Sequence, residues 1–391
     1  MRKFYVGNFD FEHRLASDLR GELPEAVRRI NRELAACWVA VADEGDTIWS
    51  PDAIEDGFFE RLADEGLPKV EPISQEDQIG DAVEVCPWGW TQALRDWGEQ
   101  HGWWCPAPDQ ALVKAANSRM YSTRIERALG IDVPRCAVVE SLDDLHKTLR
   151  DLPNGAARWV LKADFSMSAR ERLIGSGGTL TDAENNWVRN RLDGGGVLFF
   201  EPWVDRVEEA GLQFTIPASG PPVLEGLTSL LTDEQGHYRG SRFSLDVDAE
   251  LRWMPAIEAG MHVARDLKDR GYFGPLGIDA IRYRDAEGAV RMRSIQDINA
   301  RHTMGRMALG FRRLLEAGEC ASWLHVRSSA DPSDSPVGWC ERLTEKLPAS
   351  ARVIRTSPLS VAGESTRHGT LIVIAGSADE LTEAETLILQ E

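Results

Sequence analysis

The chain has 391 residues, 42% hydrophobic and 27% charged, with a formal net charge of −19 at pH 7. That length exceeds one ordinary domain and fits two or three. The acidic balance argues against non-specific binding to nucleic acid or to an anionic membrane, but a local basic cluster can still hold an anionic ligand. Six cysteines, at 37, 86, 105, 136, 320 and 340, show no CxxC spacing and no clustered histidine. A zinc site is disfavoured, and free thiols in a reduced, cytoplasmic protein are expected. The first ten residues lack the apolar core of a signal peptide, and no apolar run approaches ~18 residues, so neither export nor a membrane span is expected.

Residues 1–115 read as an N-terminal α/β unit. Cys37–Ala42 is a short apolar strand candidate. Residues 53–65 have helical spacing, with Ile54, Phe58 and Leu62 on one face. Ala82–Cys86 reads as a strand ended by Pro87. Five tryptophans fall between 88 and 104. Packing in a core or domain interface is the expected use, and an aromatic wall for a substrate is the alternative. Met120–Leu129 is amphipathic and stops at Gly130. Arg135–Val139 is a strand candidate, and Ser141 with Asp144 has the look of a helix start.

Arg158–Lys162 is a strand ending in lysine. A polar loop is expected from Asp164 to Gly178, then a helix from Asp182 to Leu192. Val197–Glu201 is again a strand. Further strands are expected over 212–216, 223–231 and 238–245, and a helix over 255–270, with Ile257, Met261, Ala264 and Leu267 as its apolar stripe. Leu276–Ile281 and Val290–Ile298 flank a turn at 285–288. Residues 303–318 read as helix. The stretch 328–338 reads as a linker, and Gly369–Ala375 as the strongest strand of a last α/β piece.

Ser294–His302 carries most of the chemistry. In an extended segment alternate residues share a face, so Asp297, Asn299 and Arg301 point one way, with Ile298 and Ala300 between them. A carboxylate and an amide oxygen suit a hard cation such as Mg2+. A guanidinium beside them suits an anion. Metal next to anion at a strand end suggests phosphate chemistry.

Lys162, the loop after it, Glu201-Pro-Trp-Val204, Asp279 and Asp297-Ile-Asn299-Ala-Arg301 follow one another in an order that resembles the ATP-grasp superfamily of ADP-forming ligases, over about residues 115–310. The resemblance implies an α/β (α+β) fold in which two subdomains, 116–200 and 201–316, grip ATP. An N-terminal α/β domain (1–115) would precede them, and a C-terminal α/β appendage (317–391) would complete the core, cap the site or make a dimer contact. It implies that Lys162 meets the α- and β-phosphates or adenine N7. The loop, with Ser166, Ser168, Arg170 and Arg172, would cover the phosphates. Glu201, Pro202, Trp203 and Val204 would form the adenine hinge, with the Pro202 carbonyl accepting from N6 and the Val204 N–H donating to N1. Glu208 would bind the ribose, with Glu209 as its competitor. Asp279, Asp297 and Asn299 would hold one or two Mg2+ ions, with Mn2+ as an alternative. Arg301 would grip the γ-phosphate, an acyl phosphate or a substrate carboxylate. Arg119, in Asn117-Ser-Arg119, stands where the family usually has a lysine, and Asp297 where it usually has Glu.

The implied activity is a ligase: ATP activates a carboxylate as an acyl phosphate, an amine attacks, and ADP and phosphate leave. Small carboxylates and amines, amino-acid or peptide-like, would be the partners, without nucleic acid or membrane; a homodimer is left open. A bicarbonate-using, carboxylase-like member and a nucleotide-binding regulator without turnover are the alternatives.

Overall fold

The computed structural model describes residues 1–16, 23–80, 82–152, 157–165, 172–244, 248–327, 345–348 and 351–389. The N-terminal unit is a parallel sheet of β1 (Arg2–Val6), β2 (Thr47–Trp49), β3 (Glu71–Ile73) and β4 (Val83–Pro87), ordered β3-β2-β1-β4. Strand order reverses between β1 and β4, and a crevice opens beyond the carboxyl ends of strands at such a point. Cys37–Ala42 is not a strand. Ala35–Ala40 forms a wholly buried 3-10 helix, and an apolar run this short looks the same whether it is buried as strand or as helix. The helix expected over 53–65 is confined to Phe58–Asp64. Trp97 and Trp103 pack on Phe4 at 5.8 and 5.3 Å between ring centroids. Trp88 instead lies where this unit meets the rest of the molecule.

A four-stranded antiparallel sheet follows, ordered β5-β8-β6-β7, from β5 (Ala137–Val139), β6 (Arg158–Ala163), β7 (Arg172–Ser176) and β8 (Leu198–Pro202). Its buried side chains, Val139, Trp159, Leu161, Leu198 and Phe200, pack on Leu145, Leu149 and Val188 of two covering helices. Those helices start as their sequences ask: the Ser141 side chain accepts from Asp144 N, and Thr181 with Glu184 forms a full capping box. The expected loop 164–178 is corrected in its second half, because Arg172–Ser176 is a strand paired with β6. Ser166, Ser168 and Arg170 lie outside the described residues.

The large sheet is antiparallel, ordered β13-β12-β9-β10-β11-β14-β18-β15. Its strands are β9 (Asp205–Ile216), β10 (Val223–Thr232), β11 (Tyr238–Phe243), β12 (Gly274–Arg284), β13 (Val290–Asn299), β14 (Cys320–Arg327), β15 (Arg352–Arg355) and β18 (His368–Ala375), with a small ribbon of β16 (Ser360–Val361) and β17 (Glu364–Ser365) before the last. The helix Met254–Asp269 covers one face. Its buried stripe is Ala256, Gly260, Val263, Ala264 and Leu267, while Ile257 and Met261 are half-buried. Gly260 lets it come close: a Cβ there would stand 2.6 Å from the Phe214 ring. The helix expected over 303–318 divides into Met304–Gly310 and a 3-10 turn, Phe311–Leu314. Among the described residues beyond 317, β14, β18 and β15 extend the large sheet, and the helix Ala378–Leu389 packs on them. The stretch 328–338 lies outside the described residues.

No helix among the described residues is long and apolar enough to cross a membrane. Cys37, Cys86, Cys105, Cys136 and Cys320 are free.

Candidate active site

A cleft opens between the small sheet and the large one. Val133, Cys136, Val160, Trp203, Ile281 and Tyr283 give it apolar walls, and Lys162, Arg172, Glu201, Arg206, Glu209, Arg293 and Gln296 line it with polar groups. The expected hinge Glu201–Val204 runs along it: β8 ends at Pro202, and the Trp203 N–H donates to the Arg158 carbonyl.

At the inner end of the cleft four buried charges neutralise one another. Lys162 Nζ lies 2.6 Å from Glu201 Oε2, and Arg293 Nη1 approaches the same oxygen at 2.9 Å. Arg293 also donates to both oxygens of Glu126, at 2.7 and 2.9 Å. Burial alone would raise the Glu201 pKa, but Arg293 and Lys162 outweigh it and hold the carboxyl well below its usual range. Burial lowers the Lys162 pKa, against the pull of Glu201. Sequence reasoning missed Arg293 and Glu126. Glu126 comes from the helix Arg119–Leu129, and the register of β12 on β13 shifts between Asp279 and Ile281. That bulge brings both Arg293 and Gln296 to the cleft, where simple alternation would separate them.

Glu208 does not face the cleft. It pairs with Arg282 at 2.9 Å and Arg252 at 3.7 Å. Glu209, the next residue along β9, lines the cleft and accepts from Arg206 at 2.9 Å and Thr232 Oγ1 at 2.7 Å. Successive strand residues face opposite ways, so a choice between two adjacent acids hangs on register.

The polar strand face read from the sequence is assembled. Asp279 and Asp297 are register partners on β12 and β13. Asn299 Nδ2 donates to Asp279 Oδ2 at 3.2 Å, and its Oδ1 accepts from Arg301 Nη2 at 2.9 Å. Burial, then the charge of Asp297, pushes the Asp279 pKa up to about 7. Two facing carboxylates and an amide oxygen suit a hard divalent cation, which would relieve that repulsion. Among the described residues no group of three or more His, Cys, Asp or Glu forms a metal cluster; the candidate set here depends on the amide.

Asn117-Ser118-Arg119 ties the two lobes together at this end. The Ala300 N–H donates to Asn117 Oδ1 at 3.0 Å, and Ser118 Oγ donates to Asp164 at 2.8 Å. Arg119 Nε donates to the Ala163 carbonyl at 3.0 Å, and its Nη1 reaches Asp297 Oδ1 at 2.6 Å. Arg301 lies with its Cζ 5.4 Å from the Trp88 ring and pairs with Glu12 of the N-terminal unit. His302 is half-buried: its Nδ1–H donates to the Pro87 carbonyl at 3.1 Å, and desolvation, with help from Arg306, lowers its pKa to about 3. It is neutral and packs edge-on against the Trp38 ring.

No family model matches the chain, and no curated protein is detectably similar to it. Solved structures do match. N5-carboxyaminoimidazole synthetase from Staphylococcus aureus superposes with a TM-score of 0.58 at 10% identity, covering 100% of this chain and 98% of that one. Biotin carboxylase from Campylobacter jejuni gives 0.57 at 11%, covering 92% and 88%. The biotin carboxylase domain of the Hydrogenobacter thermophilus 2-oxoglutarate carboxylase, in complex with MgADP, ADP and bicarbonate, gives 0.56 at 11%, covering 100% and 90%. The likeness is one of fold and runs nearly end to end: this chain has the ATP-grasp fold that its motifs implied.

Proposed function

We propose that this chain is an ATP-dependent, ADP-forming ligase that activates a carboxylate as an acyl phosphate and passes it to an amine. The observation that carries this reading is the convergence of Asp279, Asp297 and Asn299 with Arg119 and Arg301 on the same two strands that, with the small sheet, wall a cleft lined by Lys162, Glu201, Arg206 and Glu209.

Adenine would lie between Val160, Ile281 and Tyr283, against the Pro202–Val204 backbone, with Glu201 and Lys162 at its inner edge. Glu209, rather than Glu208, would take the ribose hydroxyls. Lys162 and Arg172 would face the phosphates. Asp279, Asp297 and Asn299 would hold Mg2+, which when bound neutralises charge between the β- and γ-phosphates. Arg119 would exchange Asp297 for a phosphate oxygen, a bidentate match for a guanidinium.

In the first step a substrate carboxylate oxygen attacks the γ-phosphorus and the bond to the ADP oxygen breaks. In the second the amine nitrogen attacks the acyl carbon, the bond to the phosphate oxygen breaks, and the nitrogen proton passes to phosphate or water. Neither step needs an enzyme nucleophile. The side chains position reactants and stabilise the charge that develops, with Arg301 and Arg119 as the fixed cations. The test is ADP release from MgATP across a panel of carboxylic acids and amines. Release dependent on both an acid and an amine is expected, and no release with any pair contradicts the proposal.

A second reading takes bicarbonate as the activated acid. The biotin carboxylase domain solved with MgADP and bicarbonate favours it through the shared fold. ADP formation that depends on bicarbonate and needs no organic acid is its signature.

A further inference from the structure

Arg301 and Glu12 form an ion pair at the carboxyl ends of β1 and β4, beside the candidate metal ligands. Both side chains are largely buried, at 15% and 10% exposure. Glu12 comes from the short helix Phe11–Ala16 just after β1. The surroundings are tightly built. Asn8 bonds Gly89 in both directions, joining the ends of the two strands, and a Cβ on Gly89 would meet the Phe11 ring at 2.5 Å. Trp88 lies by the Arg301 guanidinium.

The guanidinium is only partly satisfied. Nη1 donates to the His302 carbonyl at 2.7 Å, and Nη2 donates to Asn299 Oδ1 and meets Glu12 Oε1. Nε is buried and has no hydrogen-bond partner among the described residues. Nε and Nη2 form one edge of the guanidinium, the edge that takes both oxygens of a carboxylate in a bidentate pair. Glu12 engages half of it with one oxygen.

We propose that Glu12 and Arg301 together select a zwitterion, so that the activated acid is an α-amino acid or carries an equivalent adjacent ammonium. An incoming carboxylate takes the Nε/Nη2 edge and displaces the Glu12 oxygen. Glu12 is then a buried carboxylate without its cation, which is strongly unfavourable unless a new cation meets it. A simple carboxylate or bicarbonate brings none. An α-amino acid brings an ammonium next to its carboxylate, and Glu12 accepts it, so one neutral pair is replaced by two oppositely charged contacts. Selectivity arises from the stranded charge as much as from the new bond. The inference rests on the ligase reading for what happens after binding, but the recognition step stands by itself.

The experiment uses the full chain, with L- and D-alanine, leucine, phenylalanine and glutamate against the matched acids lacking the amino group, and against bicarbonate. Binding is read by calorimetry in the presence of MgADP, and ADP release from MgATP is read separately. At least tenfold tighter binding of one or more amino acids than of the matched acids is expected. Glu12→Gln should erase that preference, weakening the amino acid about tenfold or more while leaving the matched acid unchanged or tighter, and Glu12→Asp should keep part of it. Equal binding of amino and matched acids overturns the proposal. So does a Glu12→Gln variant that tightens both alike, which would make Glu12 a mere internal competitor. Bicarbonate-driven ADP release at full rate with no amino acid bound overturns it as well. If amino acids bind selectively but no ADP is ever released, the ligase reading fails and the recognition site survives. If Glu12→Gln does not fold, the wild-type preference and the Glu12→Asp variant still decide.

Discussion

The cleft and the acidic face of β12 and β13 handle charge in opposite ways. At the inner end Glu126, Arg293, Glu201 and Lys162 are buried and mutually paired, with two charges of each sign. On the acidic strand face Asp279 faces Asp297, and burial, then the charge of Asp297, pushes its carboxyl up to about 7. The inner network is complete without a ligand and holds β6, β8, β13 and the helix Arg119–Leu129 in place. The strand-face group is assembled but not neutralised, and its arginines are held by side chains that a phosphate, a cation or a substrate can displace. On the proposed function, this arrangement would place rigidity where the nucleotide base sits and keep exchangeable pairs where chemistry occurs.

The contrast can be broken most strongly from the inner end. Glu126→Gln leaves Arg293 without the bidentate partner it now has, and should lower unfolding free energy by about 3–5 kcal/mol, read by denaturant titration. A change under about 1 kcal/mol would mean the network is solvated rather than structural. On the strand face Asp297→Asn should leave stability nearly intact while cutting ADP release by about two to three orders of magnitude, the scale of losing one stabiliser of transition-state charge. Retained turnover would remove Asp297 from the metal set. Between the two, Glu209→Ala should raise the KM for ATP by about tenfold, while Glu208→Ala should leave it within about twofold. The reverse order would place the ribose on the Arg282 side of β9.

A smaller effect concerns pH. His302 is half-buried and neutral, with its folded pKa lowered to about 3 from an ordinary 6.5. The unfolded chain therefore binds a proton that the folded chain refuses. Stability from this residue is full above about pH 6.5 and is lost as pH falls toward 3, by on the order of 1 kcal/mol per pH unit. His302→Gln should flatten that part of the curve, measured as unfolding free energy from pH 7 to 4. An unchanged slope would mean that His302 is hydrated.

Much of this arrangement is legible in the chain. Period-two alternation is a backbone property, so spacing alone puts Asp297, Asn299 and Arg301 on one face, and Lys162 and Glu201 read as strand ends. What escapes depends on tertiary partners. Arg293 and Gln296 reach the cleft through a register shift that no spacing reveals. Glu126 and Glu12 sit on helices whose acids look like ordinary surface charges until packing buries them. The motif order favours Glu208 over Glu209, but the side of β9 that faces the cleft is set by its pairing with β12. β1 does not read as a strand, since Arg2 and Lys3 open it with charge. Cys37–Ala42 does, because burial on all sides leaves no periodicity to separate helix from strand.

The most direct test of the proposed reaction is isotopic. Carboxylic acids labelled with 18O in both carboxyl oxygens are incubated with the full chain, MgATP and an amine, and the released phosphate is analysed by mass spectrometry. Attack by a carboxylate oxygen on the γ-phosphorus predicts one 18O atom in each phosphate released with the coupled product. Product formed with unlabelled phosphate would contradict an acyl phosphate beside Asp279 and Asp297.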